Sequence, residues 1–358
     1  MNKPFKLQRG DKVAIVSLSS GILGEEYCRH QLDLGIKRLL DFGLTPVMMK
    51  HTLSGVELLH RQPNLRAQDL KDAFFDDSIK GIVCAIGGDD TFRLTPYLLE
   101  DEAFIQKVKS CPKLFSGFSD TTNNHLLFYK LGMISFYGPN FLSDLAELEE
   151  QMLPYTKEAF LTFFENVPTR LITTSPIWYE SRLDFSTAAL FTPRIAHVEN
   201  RGYEVLFGSG IVEGVLLGGC LESLYDGYTG SRYPEQKELY VHYQMMPSIQ
   251  DWKGKVLFIE TSEECPSPEL FLQYLTTLQN LGILSVISAM LIGKPQNEVY
   301  YEEYKQILTK IVVDLGLPAM YNIPFGHSFP RTVIPIGVTC LIDFNQRLIQ
   351  INECVFRD

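Results

Sequence analysis

The stretch Lys113-Leu114-Phe115-Ser116-Gly117-Phe118-Ser119-Asp120 runs from a short apolar segment into a glycine-framed turn. A helix is expected to follow over Thr121 to Leu131. A buried strand, a tight turn and a helix in that order form the repeating unit of a parallel sheet. Working back from it, Gly81 to Ile86 reads as a strand and Arg93 to Val108 as a helix. Lys12 to Leu18 is a β-branched run ending in Ser19-Ser20-Gly21. Leu32, Ile36, Leu39 and Leu40 then recur at helical spacing, with Gly43 placed to stop the helix. A strand over Thr45 to Met49 and a helix over Ala67 to Phe75 complete the pattern. Such alternation predicts a doubly wound α/β domain with helices on both sheet faces and ligand chemistry at the carboxyl ends of the strands.

After Gly138-Pro139-Asn140 a helical stretch is expected to about Asn166, then a Thr/Ser/Pro connection over Thr169 to Pro176. This divides the chain into an α/β domain over 1–166, a connecting loop over 167–190 and a smaller α+β domain over 191–358. The last contains apolar runs at Gly210 to Leu217, Lys255 to Ile259 and Val333 to Ile342, and predicted helices at Pro268 to Leu281 and Tyr301 to Leu315. Periodicity leaves its topology open.

At 358 residues the chain exceeds what one core usually holds, in keeping with two domains. A formal net charge of −11 and the lack of a basic stripe argue against a nucleic-acid partner. The amino terminus has no signal-peptide run, and the apolar stretch Ile283 to Ile292 is too short to span a bilayer, so no membrane partner is expected. Seven dispersed cysteines without a Cys-x-x-Cys pair read as free thiols in the reducing cytoplasm. Seven scattered histidines without a ligand spacing predict neither metal nor cofactor.

Gly117-Phe118-Ser119-Asp120 resembles a nucleophile elbow, in which the amide after the serine and the helix dipole face a developing oxyanion. A Ser-Asp pair at a helix start also serves simply as a cap. Gly87-Gly88-Asp89-Asp90-Thr91 closes the preceding strand at the same sheet edge, where its amides can supply a second oxyanion donor. The same residues look like the nucleotide motif of NAD kinases and phosphofructokinases, or like a structural turn. His327 lies in a Gly- and Pro-framed loop, better placed for proton transfer than the helical His30 and His125. Glu260 ends the strand Val256-Leu257-Phe258-Ile259, where it can orient an imidazole or merely solvate a turn beside Glu263 and Glu264.

Seven landmarks in order resemble the LD-carboxypeptidase family of serine peptidases across nearly the whole chain. They are Leu7-x-x-Gly10-Asp11-x-Val13, Arg66-x-x-Asp69-Leu70, the double glycine with Gly117-Phe118-Ser119-Asp120, and Gly138-Pro139. Further on come Gly214-x-Leu216-x-Gly218-Gly219, the strand ending in Glu260, and Gly326-His327-x-x-Pro330 with Pro335-x-Gly337. The resemblance implies Ser119 as nucleophile and Glu260 and His327 as its partners at a cleft between two domains. The amides of Gly88 and Asp120 are expected to form the oxyanion hole. It also implies a homodimer.

Within the family, Gly87 to Thr91, Trp178 after Ser175-Pro176, and Glu260-Thr261-Ser262-Glu263 look more like the microcin C immunity branch than the muropeptide-recycling branch. That implies a peptidyl- or aminoacyl-nucleotide substrate, with Trp178, Asp89 and Asp90 in substrate binding and Trp178 stacked on the base. Removal of the terminal D-alanine from a muropeptide is the second reading, and a nucleotide-dependent kinase or a noncatalytic binding protein are more distant ones. Cys220 stands where the family commonly has Asn. Arg93, Arg232 and Arg331 are candidates for reading a substrate carboxylate.

Overall fold

The computed structural model describes residues 1–357. Its first sheet is built from β1 (Lys12–Val16), β2 (Thr45–Met48), β3 (Ile79–Cys84), β4 (Leu114–Gly117) and β5 (Ser135–Tyr137). These stand in the order β2-β1-β3-β4-β5, all parallel. Val13 to Val16 and Ile82 to Cys84 are wholly buried, as strands covered by helices on both faces must be. The strand order reverses between β1 and β3, the point at which such sheets open a ligand crevice. Ser19-Ser20 and Gly87-Gly88 leave the sheet there, one strand away from Ser119.

The second sheet draws on β6 (Arg170–Ile172), and a small antiparallel hairpin, β7 (Ile177–Tyr179) with β8 (Ala196–Val198), stands apart from it. Then come β9 (Glu204–Phe207), β10 (Ile211–Cys220), β11 (Lys255–Glu260), β12 (Ala289–Gly293), β13 (Ala319–Ile323), β14 (Ile334–Ile336), β15 (Thr339–Asp343) and β16 (Leu348–Ile351). The order is β6-β16-β15-β10-β11-β12-β13-β9, with β10 to β13 parallel and the flanking strands antiparallel. Helices Leu221–Thr229, Pro268–Asn280 and Tyr301–Leu315 lie between the parallel strands in the chain. The centre of this unit is therefore wired like the first domain, a point that periodicity left open.

Three expectations change in detail. The helix expected over Arg93 to Val108 is a 3-10 turn (Thr91–Leu94) and two helices, Thr95–Leu99 and Glu102–Ser110. The break is local chemistry: Asp101 caps the last piece by accepting from the Phe104 amide at 3.0 Å. The helical run expected to Asn166 is a π-type turn (Phe141–Leu145), then Pro154–Leu161 and a 3-10 turn over Thr162–Phe164. The apolar run Val333 to Ile342 is two strands in different sheets: β15 pairs with β10, whereas β14 pairs antiparallel with β5 and completes the first sheet. β6, from the connecting segment, likewise joins the second sheet through β16. Both exchanges cover a strand edge that would otherwise expose unpaired backbone.

Candidate active site

Ser119 follows β4 and opens a 3-10 turn (Ser119–Thr121) that leads into the helix Thr122–Lys130. Its φ of 66° is a left-handed conformation that a side-chain-bearing residue adopts only when its surroundings impose it. Here they do. The Ser119 amide donates to the Tyr137 hydroxyl at 3.1 Å, and Thr122 Oγ1 donates to the Ser119 carbonyl at 2.7 Å. The buried Asp120 carboxylate accepts from Ser19 Oγ (2.7 Å), the Thr91 amide (2.9 Å) and Asn123 Nδ2 (2.6 Å). Burial nonetheless pushes this carboxyl up to about 6. The turn is thus tied to both loops of the crevice.

Gly87 lies so close that a Cβ there would stand 2.7 Å from Ser119 Cβ and 2.8 Å from its Oγ. Gly87→Ala is therefore expected to lower turnover by about 100-fold, the cost of displacing a reacting atom by an ångström or so. Steady-state kinetics, with circular dichroism to verify the fold, checks this.

Glu260, at the end of β11, meets His327 from the loop after β13. Oε2 of Glu260 accepts from His327 Nδ1 at 2.8 Å and from the His327 amide at 3.0 Å, and Oε1 accepts from the Tyr137 hydroxyl at 2.5 Å. Glycine at 326 makes this possible, because a Cβ there would sit 2.2 Å from Glu260 Cγ. Tyr137 was not foreseen as a site residue. It links the amide of Ser119 to the carboxylate of Glu260, and burial with the neighbouring Glu260 charge holds its phenol protonated. Its position just before Gly138-Pro139 was the available signal.

Ser119 and His327 line one cleft of about 490 Å³, together with Gly88, Phe118, Phe185 and Arg331. Nε2 of His327 is paired with Glu263 Oε2 at 2.8 Å in this state. Burial pulls the imidazole down, but the charges and hydrogen bonds of Glu260 and Glu263 outweigh it and hold His327 at about 10. A smaller cavity that also touches Ser119 is lined by Gly88, Asp120, Glu222, Asp226, Arg232 and Glu263.

The remaining candidates are distributed as follows. Asp90 is buried and receives Arg66 through both oxygens, at 2.5 and 3.2 Å, so its carboxylate braces the Gly87 to Thr91 loop. Asp89, at the mouth of the small cavity, accepts from the Tyr233 hydroxyl at 2.9 Å. Trp178 stacks on His197 at 4.2 Å and lines a separate small pocket with Lys294 and Phe329, outside the cleft that holds Ser119. Arg331 is fully buried on Asp144 (2.8 Å to each oxygen), Arg93 faces Glu235, and Arg232 holds Glu264 at 2.6 and 2.7 Å. The Cys220 thiol donates to Glu222 at 3.3 Å, and burial keeps it protonated.

A hydroxyl on a strained strand-to-helix turn, lining one cleft with a carboxylate-bound histidine, is an arrangement that serine peptidases use. Residues 13–138 match the LD-carboxypeptidase N-terminal domain and residues 213–342 the LD-carboxypeptidase C-terminal domain. The chain belongs to the LD-carboxypeptidase family. The microcin C7 self-immunity protein MccF of Escherichia coli is 28% identical over 296 residues, covering 80% of this chain and 78% of that protein. A probable murein peptide carboxypeptidase of Bacillus subtilis is 26% identical over 341 residues, covering 94% and 89%. The crystal structure of an MccF-like protein from Streptococcus pneumoniae in complex with AMP superposes with a TM-score of 0.91 at 46% identity, covering 96% of this chain and 99% of that one. Among the described residues no helix is long and apolar enough to cross a membrane.

Proposed function

We propose that the chain hydrolyses the amide of an aminoacyl-nucleotide toxin of the microcin C type, with Ser119, His327 and Glu260 as the catalytic triad. The reading is carried by the cleft that Ser119 shares with the Glu260-bound His327, on a scaffold 46% identical to an MccF-like protein crystallised with AMP. His327 Nε2 takes the proton of Ser119 as its oxygen attacks the carbonyl. Glu260 holds Nδ1 and stabilises the imidazolium, and the amides of Gly88 and Asp120 receive the oxyanion. The imidazolium then protonates the leaving nitrogen, and water, deprotonated by the same ring, hydrolyses the acyl-enzyme. The unpaired state of all seven cysteines supports a cytoplasmic site of action.

In the cleft the exposed ring is Phe185, since Phe329 is covered by Arg194 at 3.8 Å and Arg331 at 4.3 Å. We therefore assign the stacking of the base to Phe185 and give Trp178 a supporting place behind Phe329. The test is a hydrolysis panel of aminoacyl-sulfamoyl adenosines against L,D-linked tetrapeptides. The adenosine compounds are expected to be preferred, and Phe185→Ala should raise their KM by about 10-fold, the worth of one base–aromatic stack. Trp178→Ala should change it less. A preference for the tetrapeptides, unaffected by Phe185→Ala, would instead support removal of a terminal D-alanine, the activity suggested by the murein peptide relative.

A further inference from the structure

The nitrogen of His327 that must receive the Ser119 proton is occupied by Glu263, 2.8 Å away. An imidazole between two carboxylates satisfies both only when both of its nitrogens carry protons, and a ring in that state cannot act as a base. Every charged neighbour favours this state or leaves it intact. Glu260 holds the ring's Nδ1 from β11, with Tyr137 of β5 and Glu222 of the helix after β10 beside that carboxylate. Glu263 approaches from the loop after β11, and Arg232, which also acts on Glu263, is itself bonded to Glu264. Arg331, on the histidine's own loop, is locked on Asp144.

Glu263 is built to leave. Its side chain is 64% exposed, and it stands on the wall shared by the two cavities that meet at Ser119. In an aminoacyl substrate the α-ammonium is borne on the carbon next to the carbonyl under attack. A carbonyl within reach of Ser119 therefore brings that ammonium into the reach of a carboxylate that already touches His327. The smaller cavity behind it, with Glu222, Asp226 and Glu264 against Arg232 alone, favours a cation over an anion there.

We propose that Glu263 is a specificity residue that reads the free α-amino group of the acyl part of the substrate, and that in the free enzyme it is parked on His327. The idea rests on the aminoacyl-nucleotide reading. The ammonium draws the carboxylate away, the Nε2 proton passes to water in the open cleft, and the Ser119 hydroxyl takes the vacated acceptor. A muropeptide, whose corresponding nitrogen is already acylated, brings no cation to that position and leaves Glu263 in place.

The experiment compares alanyl-sulfamoyl adenosine with its N-acetyl derivative on the wild type, Glu263→Gln and Glu263→Ala. The wild type is expected to prefer the free amine by about 10- to 100-fold in kcat/KM, the range for a charge-assisted hydrogen bond, and both variants to narrow this to about 3-fold or less. In parallel, labelling of Ser119 by a fluorophosphonate is followed against pH. Loss of one carboxylate lowers the pKa of His327, so the acid limb of labelling should move to lower pH in Glu263→Gln, which a merely structural role would not cause. A free-amine preference that is missing in the wild type or survives in both variants, or an unmoved acid limb, overturns the proposal. If the wild type cleaves neither compound, the substrate reading fails, while the labelling profile still decides whether Glu263 governs the proton on His327.

Discussion

Ser119→Ala is expected to lower turnover of the preferred substrate by about four orders of magnitude or more, leaving only the contribution of binding and the oxyanion donors. In the proposed mechanism the hydroxyl is the reacting group, so the effect should fall almost entirely on kcat. The fold should persist, since the bonds that hold the turn use the Ser119 amide and carbonyl. A companion variant separates chemistry from strain. Ser119→Gly should be just as inactive, yet more stable than Ser119→Ala by about 1 kcal/mol, because glycine accepts a positive φ without a steric cost. Single-turnover kinetics and thermal melts of the pair check both halves. A Ser119→Ala rate within ten-fold of wild type would remove the nucleophile from the proposal.

Asp144→Ala should be the most damaging change to stability. Arg331 is completely buried, and Nη1 lies 2.8 Å from both oxygens of Asp144 while the guanidinium rests 4.1 Å from the Phe118 ring. Burial pushes the Asp144 carboxyl up, and the arginine charge works against that shift. Removing one partner strands the other charge in the interior, which costs about 3–5 kcal/mol. Because Arg331 follows His327 by four residues and Asp144 belongs to the turn after β5, the pair fastens the histidine loop to the domain that carries Ser119. Activity should therefore fall along with the urea midpoint. Asp144→Asn, which retains an acceptor, should lose less on both counts; equal loss would show that charge is not what the arginine needs.

The wiring of the first domain was legible because each of its parallel strands is a short apolar run and each helix has its own period. The meeting of His327 with Glu260 beside the cleft of Ser119 was legible for a different reason. Each of the three residues stands in a turn or at a strand end, and the order of glycine-rich landmarks joined three weak signals. What escaped depends on distance in the chain. Nothing local to Asp90 announces that Arg66 will claim both of its oxygens. A tyrosine at the end of a buried strand reads as core, yet the Tyr137 hydroxyl joins Ser119 to Glu260. For Trp178 the family resemblance implied stacking on a base, and nothing in its local sequence announced that it would lie against His197 and Lys294. Val333 to Ile342 is one apolar run by composition, and only the presence of two open sheet edges divides it.

β14 also bears on how the molecule is made. The sheet that presents Ser119 receives its sixth member from residues 334–336, after nearly all of the second domain has left the ribosome. Until then β5 is a bare, hydrophobic border on a nascent chain, a surface open to pairing with a neighbouring polypeptide. The histidine loop comes just before β14 in the chain, so the strand that seals this border arrives together with the histidine that shares the cleft of Ser119. A chain interrupted before the histidine loop therefore lacks both His327 and the strand that covers β5, and its open edge is an aggregation hazard.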